Sequence, residues 1–265
     1  MRFVGFSKGS FAACVMLGSI ARADTVNISS SKDNTLFEDP AGALSNGAGP
    51  YYYAGKTGIS GGNRIRRGLM AFNIAGSIPA GSTINSAALT CIKNTPAFQG
   101  NQTISLHKVL ADWGEGTSNA GDPGGFGASS TANDATWIHR FFNTILWTTA
   151  GGDFAATATA SIVVTNTDGP YTWASNPQMV ADVQDWLDNP ANDFGWIIRG
   201  NEVTNSTAVR FCTKENSIPA NHPSLTVDFT PPLQSPAVAN PGLIVFAVVL
   251  TMAAAGALRR QRGSN

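Results

Sequence analysis

The spacing of short apolar runs constrains this chain more than any other feature. Between residues 24 and 230, runs of strand length recur between clusters of Gly, Asn, Pro and Ser. They lie at 51–54, 69–74, 87–92, 104–110, 161–164, 195–198, 207–211 and 225–229. Short runs separated by turn residues are typical of all-β folds. We therefore predict one all-β domain over residues 24–230, an antiparallel β-sandwich.

One of the predicted strands is apolar on both faces. Alternation along a strand places Met70, Phe72 and Ile74 on one face, and Leu69 and Ala71 on the other. A strand with two apolar faces is typically covered on both sides. The run at 69–74 is therefore predicted to be a central strand.

One segment has helical periodicity instead. Asn176 and Pro177 have the residue types of an N-cap and a first helical turn, and apolar residues then recur at helical spacing up to Leu187. We predict one short helix that ends before Asn189 and closes an end of the sandwich. Residues 112–136 are rich in Gly, Ser, Asn and Asp, which predicts a long surface loop.

The two ends of the chain have the composition of targeting segments. Residues 1–23 combine basic residues, an apolar stretch and Ala-Arg-Ala at 21–23, which predicts a cleaved signal peptide. A proline-rich linker is predicted at 231–242, and a transmembrane helix with a basic sorting tail at 243–265. The alternative for the apolar part of that tail is a buried core helix. The tail also resembles exosortase-type sorting signals, although 239–242 lack their Pro-Glu-Pro hallmark, and this resemblance implies a sorting protease as a partner.

Charge excludes one large class of functions. Of the 17 basic residues, 11 fall between Asp24 and Asp228, whereas all 17 acidic residues do. This acidic middle disfavours a nucleic-acid-binding protein, which needs a basic surface to neutralise phosphates. The predicted targeting segments at the two ends lead us to expect an exported protein that is attached at least transiently to the membrane, at the cell surface or outside the cell.

Two cysteines remain in the predicted domain, Cys91 and Cys212. An oxidising compartment would allow them to form a disulfide. Alternation along their strands argues against this bond, because Cys91 shares a face with Leu89 whereas Cys212 lies opposite Phe211.

A series of short motifs resembles a known family. In chain order they are DNTLFE at 33–38, SNG at 45–47, AG at 54–55, RRGLMAF at 66–72, IPAGSTI at 78–84, WGEG at 113–116, NDATW at 133–137, GGDF at 151–154 and NDFGW at 192–196. This order resembles the DNRLRE domain, which is grouped with carbohydrate-binding module family 96. The resemblance implies a jelly-roll-like β-sandwich that binds polysaccharide without catalysis. The chain departs from the family in having Cys212 where a small residue is usual, and in having no attached enzyme domain.

Sugar rings stack on exposed aromatic side chains while polar groups hold their hydroxyls. The candidate ligand-binding residues are Tyr51, Tyr53, Trp113, Trp137, Trp147, His139 and Arg140. The alternative is that the tyrosines close the core edge and the tryptophans anchor loops. Trp173 lies outside the matched motifs and is a further candidate for exposure, whereas Trp186 is expected to pack under the helix.

Calcium is a candidate structural cofactor, because an acidic domain offers many oxygen ligands. One candidate site comprises Asp33, Asn34 and Glu38. A second set surrounds the long loop and comprises Asp112, Glu115, Asp134 and Asp153. The alternative is that these carboxylates cap turns.

Three functions remain compatible with the sequence. The first is a noncatalytic polysaccharide-binding module. The second is a structural or adhesive surface protein without a sugar site, which predicts that the candidate aromatic residues are buried. The third is a polysaccharide lyase or hydrolase, in which His139 or paired carboxylates would meet an arginine. Familiar nucleophile, zinc and phosphate-loop motifs are absent from the sequence.

Overall fold

The computed structural model describes residues 22–94 and 100–233, which contain the compact unit Arg22–Pro232. Its strands are β1 (Asp24–Phe37), β2 (Leu44–Ser45), β3 (Tyr51–Lys56), β4 (Ile65–Phe72), β5 (Thr83–Lys93), β6 (Gln102–Lys108), β7 (Ala128–Ser129), β8 (His139–Phe141), β9 (Ile145–Leu146), β10 (Ala160–Val164), β11 (Gly169–Trp173), β12 (Trp196–Arg199), β13 (Val209–Cys212) and β14 (Ser224–Thr230). Its α-helices are α1 (Ile74–Ser77) and α2 (Pro177–Asp188). The predicted all-β class is confirmed, with antiparallel strand pairing and one longer helix.

The predicted targeting segments fall almost entirely outside this part of the chain. The described residues begin at Arg22 and end at Leu233, so they exclude nearly all of the predicted signal peptide and linker, and the whole of the predicted transmembrane helix. Among the residues that are described, no helix has the length and apolar character needed to cross a membrane.

The predicted sandwich is wrong, because six strands pair into a closed barrel in the order β1, β14, β5, β13, β3, β4 and back to β1. Closure depends on two strands that change partners. In β1, residues 24–29 pair with β14 and residues 30–37 pair with β4. In β3, residues 51–54 pair with β13 and residues 55–56 pair with β4. Gly55 lies at the second change with φ 120°, where a side chain would also collide with the Thr207 carbonyl.

Four further strands extend this barrel. Strands β12, β6 and β10 continue the sheet beyond β4, and β11 pairs with β5. The main core contains Tyr52, Phe211, Trp173 and Trp196, together with the apolar face of α2. Trp173 is therefore not exposed: it is fully buried, and its Nε1 donates to the Ile104 carbonyl at 3.2 Å.

Helix α2 begins and ends where the sequence predicts. The Asn176 side chain accepts hydrogen bonds from the backbone N–H groups of Gln178 and Met179, at 2.9 and 3.0 Å. Trp186 is buried as expected and lies edge-on to Trp196, with 4.6 Å between ring centroids.

We expect Asn176→Ala to lower the free energy of unfolding by about 1 kcal/mol, because two N–H groups lose their side-chain acceptor. Denaturant unfolding monitored by circular dichroism measures this change. Asn176→Ser is the matched control, since serine is also a good N-cap and should retain most of the stability. Equal losses in the two variants would contradict the capping role.

Strand β4 is central, as its two apolar faces predict. Met70 and Phe72 lie in the main core. Leu69 and Ala71 lie in a second cluster on the outer side, with Trp113 and other residues from the long loop and its flanks. Both bounds of the predicted run differ from the strand. The strand begins earlier, at Ile65, and it ends before Ile74 because Asn73 caps α1 by accepting from the Gly76 N–H at 3.0 Å.

Cys91 and Cys212 are both buried and both free. Cys91 lies in the main core, whereas Cys212 packs with Tyr51 and Tyr53 in a third cluster. Strand alternation correctly separates the two side chains. Burial raises the pKa of the Cys91 thiol to about 12 and that of Cys212 to about 11, so both remain protonated near neutral pH.

Candidate functional site

The long loop and the segment after β9 pack onto the outer face of β4 and β12 through one tryptophan each, Trp113 and Trp147. Trp113 is 1% exposed and donates from Nε1 to the Phe194 carbonyl at 2.9 Å. Trp147 is 5% exposed and donates from Nε1 to the Thr136 carbonyl at 2.9 Å. These two rings hold the loop in place, so the prediction that they line a sugar groove is wrong for both. Trp137 differs, because it is only half-buried.

The tyrosine platform predicted on β3 is also wrong. Tyr51 and Tyr53 are each 8% exposed. The guanidinium of Arg210 covers the Tyr51 ring, with its carbon 3.9 Å from the ring centroid. The Tyr53 hydroxyl donates a hydrogen bond to the Pro123 carbonyl. The loop and β13 therefore cover the face on which a sugar would have to stack.

A groove of about 570 Å³ lies against Arg67 of β4, and Trp137 is not among its lining residues. Its lining combines apolar, hydroxyl and charged groups, including Arg67, Leu110, Thr148, Thr149, Asp153 and Phe154. Backbone pairing joins the two segments that carry Leu110 and Phe154: Val109 forms a bridge with Phe154, and the Leu110 N–H donates to the Asp153 carbonyl at 2.9 Å. Leu110 is 58% exposed and Phe154 is half-buried, so both offer apolar surface to a ligand.

Arg67 forms the inner wall of this groove. Its guanidinium carbon lies 4.9 Å from the Trp137 ring centroid and 5.2 Å from that of Phe154. Its Nη1 donates to the Gly151 carbonyl at 2.7 Å. The guanidinium carbon of Arg199 lies 5.0 Å from the same Phe154 ring, so two cations hold this ring in place. Unlike Tyr51, Phe154 is only half-buried, and the rest of its surface faces the groove.

Glu202 fixes Arg67 from the other side. It accepts hydrogen bonds from Arg67 Nε and Nη2 at 2.8 and 2.9 Å, and from Arg199 Nη2 at 2.8 Å. Burial alone would raise the pKa of Glu202, but the two arginines outweigh burial and lower it to about 2. Glu202 is therefore ionised at neutral pH and has no proton to give as a general acid.

Asp153 and the two threonines form the polar rim. The Asp153 carboxylate accepts hydrogen bonds from the backbone N–H groups of Thr148 and Thr149, both at 2.9 Å. These bonds fix the carboxylate at the groove while the two threonines remain exposed. Carboxylate and hydroxyl groups beside an apolar ring are the donors and acceptors that sugar hydroxyls need.

His139 and Arg140 lie on β8, outside the groove lining, and both are half-buried. His139 Nδ1 lies 3.0 Å from the Thr136 hydroxyl, and its ring stands edge-on to Phe142. Arg140 Nη1 donates to the Asp112 carbonyl at 3.2 Å. The structure therefore gives the two residues separate partners and does not bring them together with Trp137 in one site.

The predicted calcium ligands Asp33, Asn34 and Glu38 do not form one site. The Asn34 side-chain oxygen accepts from the Ser45 hydroxyl and the Asn46 N–H, at 2.9 and 3.0 Å. Glu38 accepts from the Ile65 N–H at 2.6 Å. Asn34 and Glu38 are thus used within the fold, whereas Asp33 belongs to a different cluster of carboxylates.

The loop carboxylates are also dispersed. Asp112 pairs with Lys32 at 2.8 Å, Asp134 accepts from the Thr131 N–H at 2.5 Å, and Asp153 lies in the groove. The turn-capping alternative thus holds for Asp134 and Asp153. Glu115 is the exception, because it lies next to Asp33.

Comparison with known proteins adds no relative. Neither a family model nor a curated protein matches this chain. The assignment of the groove as a candidate binding site therefore depends on its geometry alone. Sequence reasoning did not single out Arg67 and Phe154 as site residues, although both fall within the quoted motifs, and Glu202 carried no sequence signal.

Proposed function

We propose that this chain is a noncatalytic polysaccharide-binding module whose sugar site is the groove between Leu110 and Phe154. The observation that carries the proposal is the juxtaposition in that groove of an apolar wall with the Asp153 carboxylate and two threonine hydroxyls. Protein sites for sugars combine an apolar ring face with a few fixed polar groups.

The order of sequence motifs supports the same proposal. Their resemblance to the DNRLRE domain implies polysaccharide binding. Export by residues 1–23 and attachment at the cell surface by residues 243–265 also belong to this proposal, with a sorting protease as a further partner.

Replacement of Phe154 by alanine tests the proposed site. We expect at least about tenfold weaker retention of the purified full-length protein in affinity gels that contain the best-bound polysaccharide, because the sugar loses its apolar wall. Leu110→Ala should weaken retention less severely and with little cost to folding, since Leu110 is already 58% exposed.

Phe126→Ala is the matched control, because Phe126 is 61% exposed and does not line the groove. It should leave retention unchanged. Unchanged retention in Phe154→Ala and Leu110→Ala, with the fold intact by circular dichroism, would contradict the groove as the sugar site.

A second function has a specific observation in its favour. Four of the five candidate aromatic residues, Tyr51, Tyr53, Trp113 and Trp147, are buried. A structural or adhesive surface protein with this fold and no sugar site predicts that pattern. It also predicts that the unaltered protein is not retained by any of a broad set of polysaccharides.

A lyase or hydrolase is the third candidate. The ionised state of Glu202 between two arginines does not favour its use as a proton donor. Release of new reducing ends from a polysaccharide that the protein retains would identify this third function.

A further inference from the structure

Three carboxylates from distant parts of the chain meet beside the barrel. Asp33 lies in β1, Glu115 in the long loop after β6, and Glu215 in the turn after β13. One oxygen of each carboxylate lies within 4.8 Å of an oxygen of each of the other two. No histidine or cysteine belongs to this cluster.

The protein leaves part of this negative charge without a partner. Asp33 is fully buried, and its Oδ1 accepts no hydrogen bond from any described residue. Glu215 Oε2 is also buried and, within the described ranges, also accepts none. Buried carboxylate oxygens normally have hydrogen-bond or ionic partners, because desolvation is costly. The two oxygens therefore indicate a missing cationic or donor ligand.

The partners that the cluster does have are few. Asp33 Oδ2 accepts from the Lys214 N–H at 3.0 Å and lies 3.3 Å from the Ser30 hydroxyl. Glu115 Oε1 accepts from the Asp33 N–H at 2.8 Å. The Lys214 ammonium lies 3.1 Å from Glu115 Oε1 and also contacts Glu215 Oε1. The single ammonium group in contact with the cluster thus pairs with two of its three carboxylates, whereas Asp33 receives only the backbone N–H of Lys214.

The electrostatics of the cluster agree with an excess of negative charge. Burial, followed by the charge of Glu215, raises the pKa of Asp33 well above its usual range. Burial also raises the pKa of Glu115. Simultaneous ionisation of neighbouring buried carboxylates is unfavourable, but it becomes favourable when a divalent cation lies between them.

We propose that Asp33, Glu115 and Glu215 bind a calcium ion, with the Lys214 ammonium displaced toward solvent. Calcium takes six to eight oxygen ligands in flexible geometry, which three carboxylates and water can supply. Zinc and copper prefer nitrogen and sulfur ligands, and magnesium demands a rigid octahedron. The Lys214 side chain is 25% exposed, so its flexible stem can carry the ammonium group outward.

Calcium bound here would fasten the long loop to the barrel. Glu115 follows Trp113 by two residues, and its backbone carbonyl accepts from Asn34 Nδ2 at 2.9 Å. An ion shared with Asp33 and Glu215 would add a link between this loop, β1 and the turn after β13. This site is separate from the proposed sugar groove and does not depend on sugar binding.

Calorimetric titration and thermal unfolding of the full-length protein test this site after treatment with a chelator. We expect calcium chloride to bind with a stoichiometry of one and to raise the melting temperature, and magnesium chloride to bind more weakly. The double variant Glu115→Gln with Glu215→Gln should bind calcium at least roughly a hundredfold more weakly, because it loses two charged ligands. Asp188→Asn is the control and should bind calcium like the unaltered protein, because Asp188 is an exposed carboxylate at the end of α2.

Lys214→Met distinguishes a metal site from a permanent ion pair. If calcium displaces the ammonium, this variant should bind calcium about tenfold more tightly. If Lys214 is the natural counter-ion, the variant should be destabilised and should not bind calcium more tightly. Absence of calcium binding in the unaltered protein, binding by Lys214→Met that is no tighter, or binding that survives the double glutamine variant would overturn the proposal.

Discussion

Replacing Trp113 by alanine is expected to lower the free energy of unfolding by about 3 to 5 kcal/mol, the range typical of large buried aromatic residues. The Trp113 ring is 1% exposed and fills the second cluster between the long loop and the outer face of β4. The Trp113 Nε1 also donates a hydrogen bond to the Phe194 carbonyl, and this carbonyl would lose its donor in the alanine variant. Equilibrium unfolding in guanidinium chloride measures the change.

Two further variants separate the contributions of Trp113. Trp113→Phe keeps most of the ring but removes the Nε1 donor, so it should cost less than the alanine variant. Phe126→Ala removes an aromatic ring that is 61% exposed and should change stability by no more than about 0.5 kcal/mol. Loss of polysaccharide retention in Trp113→Ala without loss of stability would instead indicate that Trp113 contacts the sugar.

Replacing Glu202 by glutamine is expected to lower the free energy of unfolding by about 2 to 3 kcal/mol. The carboxylate lies between Arg67 and Arg199 with only 13% of its side chain exposed, and its removal leaves two guanidinium groups without their anion. Breaking a buried ion pair costs about 3 to 5 kcal/mol, and residual exposure of Arg199 reduces that figure here.

The same contacts predict an acid-sensitive step in stability. The pKa of Glu202 falls from its usual 4.5 to about 2 in the folded protein. A lowered folded-state pKa means that the stabilisation is complete above pH 4.5 and is lost as the pH falls toward 2. Unfolding free energies measured across this interval should fall less steeply for Glu202→Gln than for the unaltered protein. Parallel pH profiles would contradict the assigned ion pairs.

Local patterns in the sequence predict much of this fold. Asn176 and Pro177 correctly mark the start of α2, and the apolar faces of the 69–74 run correctly predict a covered strand. Strand β1 was missed because its sequence, DTVNISSSKDNTLF, is mostly polar and changes partners halfway. Barrel closure depends on this change of partners, which hydrophobic alternation cannot reveal.

Whether each aromatic side chain is buried or exposed is harder to predict from the sequence. Tyrosine and tryptophan have an apolar body and a polar tip, so the same residue suits both a buried anchor and an exposed platform. Leu69 and Ala71 make the outer face of β4 apolar, and this pattern indicates that another segment of the chain covers that face. Because Trp113 and Trp147 supply that cover, they cannot stack on a sugar.

The groove and the carboxylate cluster depend on contacts between distant segments. Asp33 and Glu115 fall in two different predicted calcium sets, because the local sequence does not reveal the order of the strands. Glu215 was missed because it lies in a turn whose position depends on the pairing of β13 with β3. Arg67 of β4 meets Phe154, which follows β9, through a tertiary contact that local sequence patterns do not reveal.

A crystal structure of the protein bound to a fragment of its best-retained polysaccharide tests the central claim most directly. The account predicts a sugar ring against Phe154 and Leu110, with hydroxyls hydrogen-bonded to Asp153 or to the threonines at the rim. A sugar bound anywhere outside this groove, or no polysaccharide retained at all, would contradict it.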